Sequence, residues 1–378
     1  MASIGDKFKK INISKLRFFK AKDLLGVDLG STAIKIIQLK GSPGRWSLVR
    51  WAYLPLPNAG PDVGAPERKT QAVNLLKEFV IKQKKNAPKA ASFSVSGNSV
   101  IVRYVKFPKM AKDDLAKTIQ FEAEPYIPFS IPEVNIGFHI IGDVVDEGQK
   151  KMETILVAAK KDLIGNRLDI IKQGGLSPVV IDVDAFCIEN AYDINRAANM
   201  QDTVLMVHIG ASVTTMSIIE GGVSKVVRDV FIAGNTLTKA IQRNFQCDAK
   251  QAEEKKANAA LLVTPEEREK AMAEENKEAL QMSTVMLPVV KDLLSETHRS
   301  LDFYLSQGTD RQVTRILLSG GACRLKNLVN YFAQELHMPV EIFDPLAHVE
   351  GAKAIPQDLR PLFSIAVGLA TRRDGDSE

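Results

Sequence analysis

Val27-Asp28-Leu29-Gly30-Ser31-Thr32 decides the reading of this chain, because the chain states it twice. Val207-His208-Ile209-Gly210-Ala211-Ser212 repeats it at a constant offset of 180 residues. Each copy runs on into β-favouring residues, Ala33 to Leu39 and Val213 to Ile219. Each therefore predicts strand, tight turn, strand. Two such hairpins can close on one triphosphate from opposite sides.

In the first hairpin, Gly30 predicts a turn with positive φ and a backbone that can approach a ligand closely. Successive N–H groups of such a turn can point at a phosphate. Ser31 and Thr32 add hydroxyl donors, and Lys35 on the outgoing strand can neutralise phosphate charge. Asp28 cannot favour an anion, so its natural role is to hold Mg2+ through water. In the second hairpin His208 stands where Asp28 stands. A neutral imidazole supplies no negative charge near a metal ion, so slow or absent hydrolysis is expected even where binding is intact. A third element, Ile316-Leu317-Leu318-Ser319-Gly320-Gly321-Ala322, reads as a strand entering a Gly-Gly turn and then a helix. Its small residues allow an adenosine to lie against the backbone, and the helix N-terminus is expected to favour the α-phosphate.

Around these elements strands and helices alternate in both halves, which predicts α/β layers. The first half predicts strands at Leu24–Leu29, Ile34–Lys40 and Trp46–Tyr53, and a helix at Gln71–Lys85. The second half predicts a helix over Gly234–Phe245, a long helix over Met282–Ser306 carrying Pro288, and a helix over Leu325–Leu336. Residues 250–280, dense in Ala, Glu and Lys, read as helix, loop, helix.

Composition excludes several classes. Of the net charge of +5, residues 1–22 carry +6, seven Lys or Arg against Asp6 alone, so the body is near neutral and unsuited to nucleic acid. Ile4, Phe8 and Ile11 fall at helical spacing among those lysines, so the tail fits an anionic membrane surface or a partner. Cys187, Cys247 and Cys323 are far apart and form no C-x-x-C pair, which argues against disulfides and zinc and fits a reducing cytosol. No apolar run long enough for a transmembrane helix is present. P-loop, dinucleotide, nucleophile-elbow and H-E-x-x-H signatures are absent.

Hairpin, second hairpin and strand-Gly-Gly-helix together resemble the phosphate-1, phosphate-2 and adenosine motifs of the actin-like ATPases, which include actin, sugar kinases and FtsA. Within them the chain most resembles the PilM family of type IV pilus assembly proteins. The resemblance is carried by Leu24–Leu39, Glu122–Val134, Val180–Tyr192, Ala233–Ile241, Arg299–Gln307 and Ile316–Asp344. It implies a two-lobed α/β actin-like ATPase built on ribonuclease H-like repeats. Lobe I would take 24–200 with 358–378 and carry an FtsA-type 1C insert at about 98–180. Lobe II would take 201–357 with a 2B insert at about 235–306, and residues 1–23 would form a basic tail.

By the family pattern Asp28, Gly30, Ser31, Thr32 and Lys35 would grip phosphate and Mg2+. Gly210, Ala211 and Ser212 would close the other side. Gly234, Asn235 and Lys239, with Gly320 and Gly321, would approach the nucleoside of ATP. The resemblance further implies a scaffold at the cytoplasmic face of the inner membrane that binds the N-terminal cytoplasmic peptide of a PilN-like protein. A second copy of the chain is a further candidate partner. The rival readings are a small-molecule kinase, with Glu122, Glu124, Asp182 or Asp184 as base, and an FtsA-like filament former. No catalytic residue is assigned.

Overall fold

Both copies of the repeat fold as strand, turn, strand, and the repeat extends further than the hairpins. In the computed structural model, which describes residues 24–42, 44–57, 60–83, 88–146, 148–196 and 202–373, β1 (Leu25–Leu29), β2 (Ala33–Ser42) and β3 (Arg45–Pro55) form an antiparallel meander. The basic tail read at 1–23 lies outside the described residues. α1 (Ala65–Lys82) follows. It begins earlier than Gln71, in a stretch read as loop, because Pro66 sits in its first turn, where a missing N–H costs nothing. β4 (Ala90–Val95) then pairs parallel to β1.

Next comes a small subdomain: β5 (Val100–Pro108), α2 (Lys112–Ala123), β6 (Val134–Asp146) and β7 (Gln149–Lys160). Its strands lie in the order β5-β7-β6, all antiparallel. Leu115, Ile119 and Ala123 of α2 pack with Val105, Phe107 and Leu156 of that sheet. The chain then returns to the first sheet through α3 (Lys161–Gln173), β8 (Ser177–Val183) and α4 (Asp184–Asp193).

The second half opens with β9 (Thr203–Ile209), β10 (Thr214–Glu220) and β11 (Val223–Val230). Four helices follow: α5 (Gly234–Phe245), α6 (Ala249–Asn258), α7 (Pro265–Ala273) and α8 (Lys277–Leu305), the last with Pro288 inside it. β12 (Arg315–Ser319), α9 (Leu328–Leu336) and β13 (Val340–Ile342) complete the second sheet. β14 (Val349–Glu350) crosses back to pair with β3, and α10 (Ser364–Ala370) closes the fold.

The sheet orders are β14-β3-β2-β1-β4-β8 and β11-β10-β9-β12-β13. Apart from β14 they are the same five-strand arrangement, two antiparallel pairings followed by two parallel ones. Even the register repeats: Leu29 faces Ile34 and Asp28 faces Lys35, as Ile209 faces Thr214 and His208 faces Thr215. β1 and β9 are buried along their whole length, which is why both read as near-continuous apolar runs. Helices α4 and α10 are packed in a core that the two sheets share. It draws Ile37 and Leu39 from β2, Val204 and Met206 from β9, and Leu317 from β12. The halves are thus joined at one end and leave a cleft where their hairpin turns meet.

Candidate nucleotide cleft

A cavity of about 310 Å3 lies between the two halves. Thr32, Ala33, Lys35 and Tyr53 line it from the first sheet, and His208, Gly210 and Ala211 from the second. Gly234 and Leu237 of α5 and Glu253, Lys256 and Ala257 of α6 form another wall. Gly320, Gly321, Ala322, Arg324 and Leu325, after β12, complete it with Leu362. Its size falls within the ordinary range for small-molecule sites.

The first hairpin is charged. The Lys35 ammonium pairs with the Asp28 carboxylate at 2.9 Å, across the register that places them opposite. Both side chains are nearly buried. Arg167 of α3, half-buried, donates to the Leu29 carbonyl just before the turn. Asp184 at the start of α4 is half-buried beside this group. Burial, and then the Asp28 charge, push its carboxyl up to about 6, against hydrogen bonds from Ser94 and Ser96.

The second hairpin is neutral. The His208 Nδ1 is 2.9 Å from the Ser319 hydroxyl, its parallel register partner. Burial pushes the imidazole down to about 4. Asp28 opposes that shift and Lys35 adds to it. The ring is therefore uncharged at neutral pH, and it shares the cavity wall with Lys35 of the first hairpin.

The predicted residues divide. Thr32, Lys35, Gly210, Ala211, Gly234, Gly320 and Gly321 line the cavity. Asp28, Gly30, Ser31, Ser212, Asn235 and Lys239 do not. Asp28 lies beneath the wall as the partner of Lys35. Asn235 and Ser212 pin α5 to the second turn: the Asn235 amide donates to the Ala211 carbonyl at 2.7 Å and its side chain to Ser212 at 3.1 Å. Lys239 is exposed. The lysine on that wall is Lys256, whose ammonium reaches Glu253 at 2.6 Å, Thr238 at 2.7 Å and the Gly234 carbonyl at 3.2 Å.

Two expectations are corrected. Gly30 is not among the glycines with positive φ. What excludes a side chain there is space: a Cβ would lie 2.6 Å from the Lys35 ammonium and 2.8 Å from the Ala33 carbonyl. Gly320 is the glycine that the backbone requires, with φ of 86° and a Cβ position 2.4 Å from the Ile209 carbonyl. Secondly, no α-helix begins at the Gly-Gly turn. A three-residue 3-10 turn, Ala322–Arg324, follows it, and α9 starts only at Leu328 after Asn327 in the left-handed region. No helix dipole is therefore aimed from this side at an α-phosphate.

Sequence reasoning missed Arg167, Glu253 and Lys256, and weighed Asp184 as a kinase base against a buried structural or hinge role. Glu253 and Lys256 stand in a run of Ala, Glu and Lys indistinguishable by pattern from a solvated helix. Arg167 comes from a helix that follows the small subdomain, 138 residues from the carbonyl it binds.

A family model described as type IV pilus assembly protein PilM matches residues 26–374. The chain belongs to the PilM family. A solved PilM–PilN type IV pilus biogenesis complex is similar at 25% identity and a TM-score of 0.77, over 93% of this chain and 98% of that one. The ethanolamine utilization protein EutJ from Carboxydothermus hydrogenoformans is similar at 13% identity and a TM-score of 0.51, over 93% and 92%. This PilM protein therefore has the two-lobed actin-like ATPase fold, and it is an actin-like protein of type IV pilus assembly. No helix among its described residues is long and apolar enough to cross a membrane.

The donors of the cleft suit a nucleotide. Lys35, Lys256 and Arg324 are cations on its wall, Thr32 offers a hydroxyl, and glycines leave backbone accessible. Among the described residues no group of three or more His, Cys, Asp or Glu is placed to hold a metal directly. Asp28 and Asp184, whose mutual repulsion is seen in the raised Asp184 carboxyl, suit a divalent cation held through its water shell.

Proposed function

We propose that this PilM protein binds ATP with Mg2+ in the interlobe cleft, and that nucleotide state sets its affinity for the N-terminal cytoplasmic peptide of a PilN-like inner-membrane protein. One observation carries the reading: a single cavity, cationic and glycine-lined, is bounded by both copies of the repeated hairpin. In this reading Lys35 and the turn amide of Ala211 meet the phosphates from opposite sides, while the Gly210 amide closes the hairpin on the Val213 carbonyl. Asp28, with Asp184 beside it, holds Mg2+, which offsets phosphate charge. Gly320 and Gly321 give the nucleoside a flat backbone wall, with Glu253 and Lys256 facing it. The lobes are taken as 24–200 with 358–378, and 201–357.

ATP acts in this reading as a conformational ligand, effective only through different affinities for open and closed lobes. His208 leaves the second hairpin without a carboxylate, so turnover is slow. The similar PilM–PilN complex supports the choice of partner. The protein works at the cytoplasmic face of the inner membrane, with residues 1–22 as a second attachment.

Calorimetry with Mg-ATP tests the cleft. Wild type binds, and Lys35→Ala and Asp28→Ala do not; unchanged affinity in both variants removes the assignment. Titrating a synthetic peptide from the N-terminus of a PilN-like protein, with and without Mg-ATP, tests the coupling. Equal affinities in the two conditions contradict it.

A further inference from the structure

Asp229, near the end of β11, bridges the two halves of the molecule away from the cavity lining. Its Oδ1 accepts from the Thr215 hydroxyl at 2.7 Å, within the second sheet. Its Oδ2 accepts from the Gly97 amide at 2.6 Å, in the first half. Gly97 has φ of 90°, and its Cα face looks onto Val213 and Phe231 of the second half.

The turn that carries Gly97 has two further attachments. On one side Ser94 and Ser96 hold the Asp184 carboxyl, which feels Asp28 and Asp229. On the other side the Gly97 carbonyl accepts from Val100 at 3.0 Å, where β5 begins. The Ser99 carbonyl accepts from Lys160 at 2.9 Å, so the start of β5 is tied to the end of β7. One short turn thus touches the acidic group behind the cleft, the second half, and the root of the three-stranded subdomain. β11 braces that subdomain a second time. Lys225 lies 3.8 Å from Glu153 of β7, and Val227 packs in the cluster that contains Val100, Val102 and Ile155.

We propose that Asp229 is a latch that couples lobe closure to the orientation of the three-stranded subdomain, through the Ser94–Gly97 turn. The coupling rests on the nucleotide reading above; the latch itself does not. The closed, latched arrangement, in which Asp229 takes the Gly97 amide and fixes the root of β5, is the one populated without ligand, and a ligand in the cleft favours it further. When the halves part, that bond breaks and the subdomain swings with its turn. A ligand on the subdomain that favours the latched orientation then tightens nucleotide binding by the same factor as nucleotide tightens that ligand.

Hydrogen exchange on the full chain tests it, read over 94–108 and 149–160, for wild type, Asp229→Ala and Asp229→Asn. Asparagine keeps a carbonyl for the Gly97 amide and an NH2 that can donate to Thr215. Without nucleotide, Asp229→Ala speeds exchange over 94–108 about tenfold or more, the loss of one charge-assisted bond, while Asp229→Asn stays near wild type. With Mg-ATP, wild type and Asp229→Asn slow further in both segments, and Asp229→Ala does not, although its hairpin turns at 30–33 and 210–213 are still protected. Should Asp229→Ala not fold, Thr215→Val takes its place and produces a smaller rise. Equal exchange over 94–108 in wild type and the latch-breaking variant overturns the latch. Nucleotide slowing of both segments in that variant overturns the coupling. No nucleotide protection at the hairpin turns of wild type refutes the nucleotide reading, and the comparison without nucleotide still decides the latch.

Discussion

The first and second hairpins share register, strand order and burial, yet they hold opposite electrostatic contents. At one position the first has Asp28 paired with Lys35, and the second has neutral His208 bound to Ser319. Opposite, Lys35 gives way to Thr215. A backbone repeat fixes where side chains point and nothing about their charge. The first copy carries the ions, and the second offers backbone and an uncharged ring. In a site that holds a polyphosphate, this makes one hairpin the grip and the other the cover.

The largest effect should come from breaking the charged side. Lys35→Ala leaves Asp28 a buried carboxylate without its lysine and costs roughly 3–5 kcal/mol, read as a fall in the chemical-denaturation midpoint. Thr215→Ala, at the equivalent place, costs far less. Equal losses would mean that the hairpins are not electrostatically different.

The next effect concerns pH. His208 is held near 4, below the 6.5 of a free imidazole. The neutral ring's contribution is complete above 6.5 and is lost as pH falls towards 4, about 3 kcal/mol in all. Asp184 works in the other sense. Its carboxyl is raised from 3.8 to about 6, so its contribution is complete below 3.8 and is lost as pH rises to 6. His208→Gln should flatten the acid limb of a stability–pH curve, and Asp184→Asn should stabilise the protein above pH 6. A curve for His208→Gln that parallels wild type between 6.5 and 4 would contradict the assignment.

Making the second hairpin resemble the first gives a third comparison. His208→Asp restores a carboxylate facing the site and is expected to raise ATP turnover by about tenfold, measured as phosphate release. Equal turnover by both forms would show that the histidine does not limit hydrolysis. The smallest effect is Ser319→Ala. It removes the partner of a buried imidazole and costs about 1–2 kcal/mol, with His208 then titrating at a different pH by NMR.

Much of this was legible in the chain. The two hairpins, the alternation of strands and helices and the Gly-Gly turn were each readable. β1 and β9 announce themselves because central strands covered on both faces must be apolar throughout. The site was legible only in part. Thr32, Lys35, Gly210 and Gly320 could be placed because turn residues sit next to the strands that carry them. Lys239, implied by the family pattern, is exposed on α5, and sequence does not show that Lys256 of α6 turns inward. Gly30 was assigned a positive φ, where the real constraint is the ammonium lying over it.

The sequence by itself determined that this protein has two equivalent α/β halves with paired hairpins, because strand periodicity and glycine turns are local properties. Only the tertiary structure decided which charges meet. Asp28 with Lys35, Arg167 with the Leu29 carbonyl, Asp229 with the Gly97 amide and His208 with Ser319 are set by register and by the packing of distant segments. The perturbed ionisation of Arg167, Asp229 and His208 follows from burial, which no residue possesses until the fold surrounds it.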